Sequence, residues 1–274
     1  MPIAKVGDIN TYYEIHGKGE PLVLIYGYAG DSGLWFRQTP VLSKKYRVIA
    51  FDNRGVGRSD KPDIPYTMAI MAADIVGLLD VIGVDAAHVF GISMGGMIAQ
   101  HFALNYPQRV TSLILGCTFC GGVRSIPIGP GALAALADFE RFKKMTLEEI
   151  VRQLIPFLFS QEFIEKNPDI VEKRVAESLE YPTPMHGITR QAEAIMGHDT
   201  YDILPRIKPP TLVISGDNDR LIPAENSRIL ASQIPEAELA IVKGAGHEFF
   251  IEDPEETNRI VLDFLGRHKK GQRL

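Results

Sequence analysis

Short apolar runs alternate along the chain with longer segments whose apolar residues recur every three or four positions. Residues 21–26 (PLVLIY), 46–51 (YRVIAF), 87–91 (AHVFG), Val110–Gly116 (VTSLILG), 211–215 (TLVIS) and Glu238–Val242 (ELAIV) form the first class. They lack apolar–polar alternation, which predicts strands buried on both faces, as in a parallel sheet. In the second class, residues 68–82 carry Ile70, Ile75, Leu78, Leu79 and Ile82 at helical spacing. Met94–Asn105 is small and apolar nearly all round, so it predicts a buried helix. Residues 223–233 and Pro254–Arg267 each begin with proline, which a first helical turn tolerates. Strands alternating with helices predict an α/β fold with right-handed crossovers.

One stretch breaks the alternation. Residues 121–201 contain no strand-like run and read as helical segments at 131–143, 147–159, 168–179 and 189–196, with a polar, proline-containing interval at 181–185. The expected organisation is therefore a core formed by residues 1–120 and 202–274, split by an all-helical insertion over 121–201. That stretch is rich in Phe, Met and Leu, including Phe139, Phe142, Phe157, Phe159, Phe163, Met185 and Met196.

Composition narrows the classes without naming a chemistry. A chain of 274 residues, 45% hydrophobic and 23% charged, can bury a large core. Its formal charge of −5 argues against a broad nucleic-acid face. The basic cluster Arg267, Lys269, Lys270 and Arg273 reads as a solvated tail. The two cysteines, Cys117 and Cys120, are too few for a disulfide scaffold or a structural zinc site and read as small packing residues. The N-terminal residues lack a signal peptide's basic start and apolar stretch, and no apolar run reaches about 18 residues. These features predict a cytoplasmic protein with no membrane partner.

Chemistry enters at Gly91-Ile92-Ser93-Met94-Gly95, followed by Gly96, between a predicted strand and a predicted helix. G-x-S-x-G in that context reads as a nucleophile elbow. A sharp, strained turn pushes the serine oxygen into the open, and flanking glycines avoid clashes inside it. The helix N-terminus then aims free N–H groups at developing negative charge.

With this elbow, the chain resembles the α/β-hydrolase superfamily from Gly7 to about Leu265. Residues 51–60 (FDNRGVGRSD), 215–223 (SGDNDRLIP) and 244–247 (GAGH) carry the resemblance further. It implies an α/β-hydrolase fold, with a mostly parallel sheet flanked by helices, in which the insertion acts as a cap over Ser93. It also implies the chain order serine, acid, histidine. His247 is then the base, in a loop after the sixth run. Asp217 and Asp219 both follow the fifth run; the family pattern G-x-x-D-x-x-x-P implies Asp219 as the acid, with Asp217 holding the turn. The oxyanion donors implied are the backbone N–H groups of Met94 and Tyr28. Relatives commonly read His-Gly where this chain reads Tyr26-Gly27-Tyr28-Ala29-Gly30. Trp35 and Tyr28, near that loop, are the expected substrate-binding side chains.

A serine nucleophile favours acyl chemistry. The expected activity is hydrolysis of small, mainly apolar carboxylic esters or lactones through an acyl-enzyme, with no cofactor and no metal. The resemblance leaves open enol-lactone or acyl-homoserine-lactone hydrolysis, C–C bond hydrolysis, cofactor-free haloperoxidation and a non-catalytic receptor role. The expected partner is a small-molecule ester or lactone, on a monomer or a homodimer, with no nucleic acid.

Overall fold

A computed structural model describes residues 2–142 and 144–269, apart from the side chains of Ala137 and Phe139. Lys270 and Arg273 of the basic tail lie outside the described residues, and Arg267 pairs with Glu238 at 2.7 Å. Eight strands form one sheet: β1 (Ile3–Val6), β2 (Ile9–His16), β3 (Pro21–Ile25), β4 (Arg47–Phe51), β5 (Ala87–Ile92), β6 (Val110–Gly116), β7 (Thr211–Gly216) and β8 (Glu238–Val242). Their spatial order is β1-β2-β4-β3-β5-β6-β7-β8. From β4 to β8 every neighbouring pair is parallel, whereas β2 runs antiparallel to both β1 and β4. The parallel strands coincide with the six apolar runs. The apolar-run pattern does not anticipate β1 and β2, because an antiparallel edge pair keeps polar side chains such as Asn10 and Glu14 between its apolar ones.

Parallel strands β3 to β7 are buried on both faces, whereas β8, at the sheet edge, is only partly buried, with Leu239 exposed. Leu22 and Leu24 enter one apolar cluster, while Val23 and Ile25 enter another on the opposite side of the sheet. Helix α1 (Thr39–Leu42) is a single turn, and α2 (Met68–Val81) begins where the Thr67 side chain accepts the Ile70 N–H. Helix α3 (Met94–Asn105) is buried along most of its length, as its composition predicts.

Between β6 and β7 the chain forms α4 (Pro130–Ala137), α5 (Phe139–Phe142), α6 (Leu147–Leu158), α7 (Gln161–Lys166), α8 (Pro168–Glu180) and α9 (Met185–Met196). The residues at which the chain enters and leaves this interval lie side by side: Gly121 bridges Asp199, and the Thr200 N–H donates to the Cys120 carbonyl at 2.8 Å. Helix α7 is an addition to the expected elements; Ser160 starts it by accepting the Phe163 N–H. Helix α9 begins earlier than the apolar spacing indicates, because Pro184 sits in an extended N-cap and the helix starts directly after it. Cys117 and Cys120 are buried free thiols. Helix α10 (Glu225–Gln233), the short α11 (Phe249–Glu252) and α12 (Pro254–Arg267) complete the chain. No described helix is long and apolar enough to cross a membrane.

Candidate active site

The carboxyl ends of the parallel strands carry four loops that converge, the usual place for a site in an open α/β sheet. Ser93 closes β5 with φ 53° and ψ −124°, a conformation that costs a non-glycine residue about 1–3 kcal/mol. Hydrogen bonds of its backbone hold it there. Its N–H donates to Gly116 O at 2.9 Å, and its carbonyl accepts from Gly96 N at 2.9 Å and from Thr118 Oγ1 at 2.7 Å. Packing makes Gly95 obligatory, since a Cβ there would lie 2.1 Å from the Ile25 carbonyl oxygen. Gly27 brings the β3 loop against the serine: its Cβ would sit 2.9 Å from Ser93 Cβ. Met94, at the first turn of α3, offers a backbone N–H that the helix itself leaves unpaired.

The two aspartates after β7 separate cleanly. Asp219 is buried, and its Oδ2 lies 2.8 Å from His247 Nδ1. Its Oδ1 accepts the N–H groups of Leu221 at 2.9 Å and Ile222 at 2.8 Å, which fix the carboxylate's orientation. Asp217 is exposed and instead accepts the Gly244 N–H at 2.6 Å, tying the β7 loop to the β8 loop. A carboxylate against Nδ1 puts the imidazole proton on that nitrogen and leaves Nε2 as the basic atom.

Ser93, His247, Tyr28 and Gly27 line one cavity of about 100 Å³, with Met97, Leu136, Leu154 and Ile222 among its apolar walls. Leu136, Leu154 and Leu158 reach it from α4 and α6. Trp35 does not line it, which corrects the sequence-based expectation. The 3-10 turn Ser32–Trp35 rotates the indole inward, fully buried against Tyr26, Phe90 and Phe250 at ring separations of 5.6, 5.1 and 5.3 Å.

Several residues of the site region carry no motif. Arg174 of α8 forms a side-on ion pair with Glu248, the residue after His247. Its Nε and Nη2 donate to the carboxylate at 2.7–2.9 Å, and both side chains are under 10% exposed. The Tyr26 hydroxyl donates to the same carboxylate at 2.9 Å, which gives the tyrosine a specific role at the position where relatives commonly have histidine. Gln191 of α9 accepts the Ala29 N–H and donates to the Arg54 carbonyl, both at 2.9 Å, so it anchors the β3 loop. Glu252 adds a further tie. It accepts from Gly246 N at 2.7 Å and from Ser160 Oγ at 2.6 Å, joining the histidine loop to the end of α6. The sequence signal for Arg174 and Gln191 is a polar side chain among apolar helical positions; Tyr26 and Glu248, outside the helices, carry none.

The lining is electrically balanced, because Arg174 and Glu248 neutralise each other. No group of three or more His, Cys, Asp or Glu that could hold a metal ion occurs among the described residues.

A family model described as the alpha/beta hydrolase fold matches residues 20–254. The chain is 33% identical to the "Putative carbamate hydrolase RutD" of Azorhizobium caulinodans over 97% of this chain and 98% of that protein. It is 33% identical to the poly(3-hydroxyalkanoate) depolymerase of Ectopseudomonas oleovorans, over 91% of this chain and 86% of that one. The crystal structure of the enol-lactonase from Burkholderia xenovorans LB400 superposes with a TM-score of 0.84 at 28% identity, covering 97% of this chain and 100% of that one. The sheet order, the loops at its carboxyl end and these matches together establish that the chain belongs to the alpha/beta hydrolase fold family and is a hydrolase.

Proposed function

We propose that the protein hydrolyses neutral, mainly apolar carboxylic esters or lactones through an acyl-enzyme on Ser93. The observation that carries this reading is a single cavity lined by both Ser93 and His247, with His247 bonded to the buried Asp219. His247 Nε2 takes the Ser93 proton as Oγ attacks the carbonyl carbon. The negative charge that develops on the carbonyl oxygen is held by the N–H groups of Met94 and Tyr28, each contributing about 3–4 kcal/mol to the transition state. Asp219 stabilises the imidazolium. That imidazolium then donates its proton to the departing alcohol oxygen as the C–O bond breaks. Water, deprotonated by His247, attacks the acyl carbon and releases the acid, and Ser93 Oγ recovers its proton. Residues 121–201 act as a cap that keeps bulk water from the acyl-enzyme.

The electrically balanced pocket favours a neutral substrate over a carboxylate-bearing one, since its guanidinium is already occupied by Glu248. Carbamate cleavage is a second reading, favoured by the name of the Azorhizobium relative. It needs the same acyl transfer with nitrogen on the carbonyl.

A panel of chromogenic esters, lactones, an aryl carbamate and a meta-cleavage dienoate separates these readings. Esters or lactones should give the highest kcat/KM. A preference for the carbamate or the dienoate would replace the ester reading. Tight ligand binding without turnover of any member would replace it with a receptor role.

A further inference from the structure

The cavity beside Ser93 adjoins a second chamber of similar size, about 80 Å³ against about 100 Å³. Tyr28, Leu136, Leu154, Leu158 and Arg174 line both. Beyond them the second chamber is walled mainly by apolar side chains such as Ile150, Val151 and Ile188, from α6 and α9. A substrate with its carbonyl at Ser93 and a tail in the second chamber would run along these shared residues, Tyr28 among them.

The Tyr28 hydroxyl is buried and has no hydrogen-bond partner among the described residues. A buried hydroxyl without a partner is costly, so native structures usually supply one. Burial pushes the phenol pKa upward, so it remains a neutral donor. The neighbouring guanidinium is engaged by Glu248 and Ser178 and offers no free charge to an anion.

We propose that the Tyr28 hydroxyl selects substrates carrying a neutral oxygen, such as a ketone, hydroxyl or ether, between the scissile carbonyl and an apolar tail in the second chamber. This rests on the ester reading above. One residue then serves two parts of the substrate. The backbone N–H of Tyr28 faces the carbonyl, and its side chain meets the oxygen further along the chain.

The test uses chromogenic esters of equal chain length, either plain hydrocarbon or with one keto or hydroxyl group moved carbon by carbon along the acyl chain. In the wild type, one position should raise kcat/KM over the hydrocarbon ester by about three- to tenfold, the range of one neutral hydrogen bond. In Tyr28→Phe that ratio should fall to about one, whatever the absolute rates. In Val151→Trp the ratio of long-chain to short-chain kcat/KM should fall by about tenfold or more, because the tail loses its chamber. Turnover of plain and substituted esters at equal rates for every position overturns the selection and leaves the ester reading standing. A preference that survives in Tyr28→Phe overturns the role of the hydroxyl. An unchanged chain-length ratio in Val151→Trp overturns the second chamber as the tail site. Failure to turn over any ester overturns both the inference and the reading beneath it.

Discussion

At the scale of single residues, burial decides between chemically identical groups. Asp217 and Asp219 are two positions apart on one loop, and sequence alone leaves both near the histidine. Asp219 turns inward, where two backbone N–H groups and His247 share its oxygens, while Asp217 stays in solvent and closes a turn. Asp219→Asn is therefore expected to lower kcat by about 10⁴-fold, because an amide cannot stabilise the imidazolium or hold its tautomer. Asp217→Asn is expected to cost only a few fold. Equal losses in two folded variants, measured by steady-state kinetics, would contradict the assignment. Ser93 and Gly95 were legible because a tight turn imposes a residue pattern. The inward turn of Trp35 is not legible in the sequence, because nearness to a loop says nothing about which way a 3-10 turn faces.

At the scale of elements, the interval between β6 and β7 ties down the loops of the site. Helix α8 brings Arg174 to Glu248, α9 brings Gln191 to the β3 loop, and the end of α6 meets Glu252. These contacts span 74 to 162 residues, so no local pattern could reveal them. The helices themselves were largely legible from apolar spacing. The short α7 was not, because a six-residue helix offers too few turns to establish a period. Arg174→Ala would leave Glu248 buried without its cation, and an expected loss of about 3–5 kcal/mol follows. Adding Glu248→Gln should restore a large part of it, since the uncompensated charge is then gone. Denaturant titration of the three proteins measures both effects. A single variant as stable as the wild type would show that the pair does not hold the two parts together.

At the scale of the whole molecule, the six apolar runs mark the parallel strands because β3 to β7 are buried on both faces; β8 keeps the same kind of run although, as an edge strand, it is only partly buried. β1 and β2 escaped because an antiparallel edge keeps polar positions. Two buried groups outside the strands shape the pH response of stability. Asp31 is buried beside the Asp52 carboxylate, and burial first, then that charge, pushes its pKa from 3.8 up to about 6. The folded state thus holds this proton more tightly than the unfolded chain does. The ionised carboxylate costs stability above about pH 6, and the cost is relieved as pH falls through 6 toward 3.8. The span corresponds to about 3 kcal/mol. Asp31→Asn, which keeps an acceptor for the Gly33 N–H, should be more stable than the wild type at pH 7. That advantage should shrink to nothing near pH 4. Thermal melts at both pH values would show it, and a constant difference would rule it out. His198 works in the opposite sense. Burial and the neighbouring His101 lower its pKa to about 4, so the stability it allows above pH 6.5 is lost as pH falls toward 4.

The central claim is that an acyl group is carried on the Ser93 oxygen, and the most direct measurement compares Ser93→Ala with the wild type on the best ester of the panel. Intact mass is recorded on samples quenched during turnover. The expected result is a kcat about 10⁴-fold lower or worse in the variant, with an acyl adduct on the wild-type peptide containing Ser93 and none on the variant. Turnover by the folded variant within tenfold of wild type, or an adduct on another residue, would contradict the account.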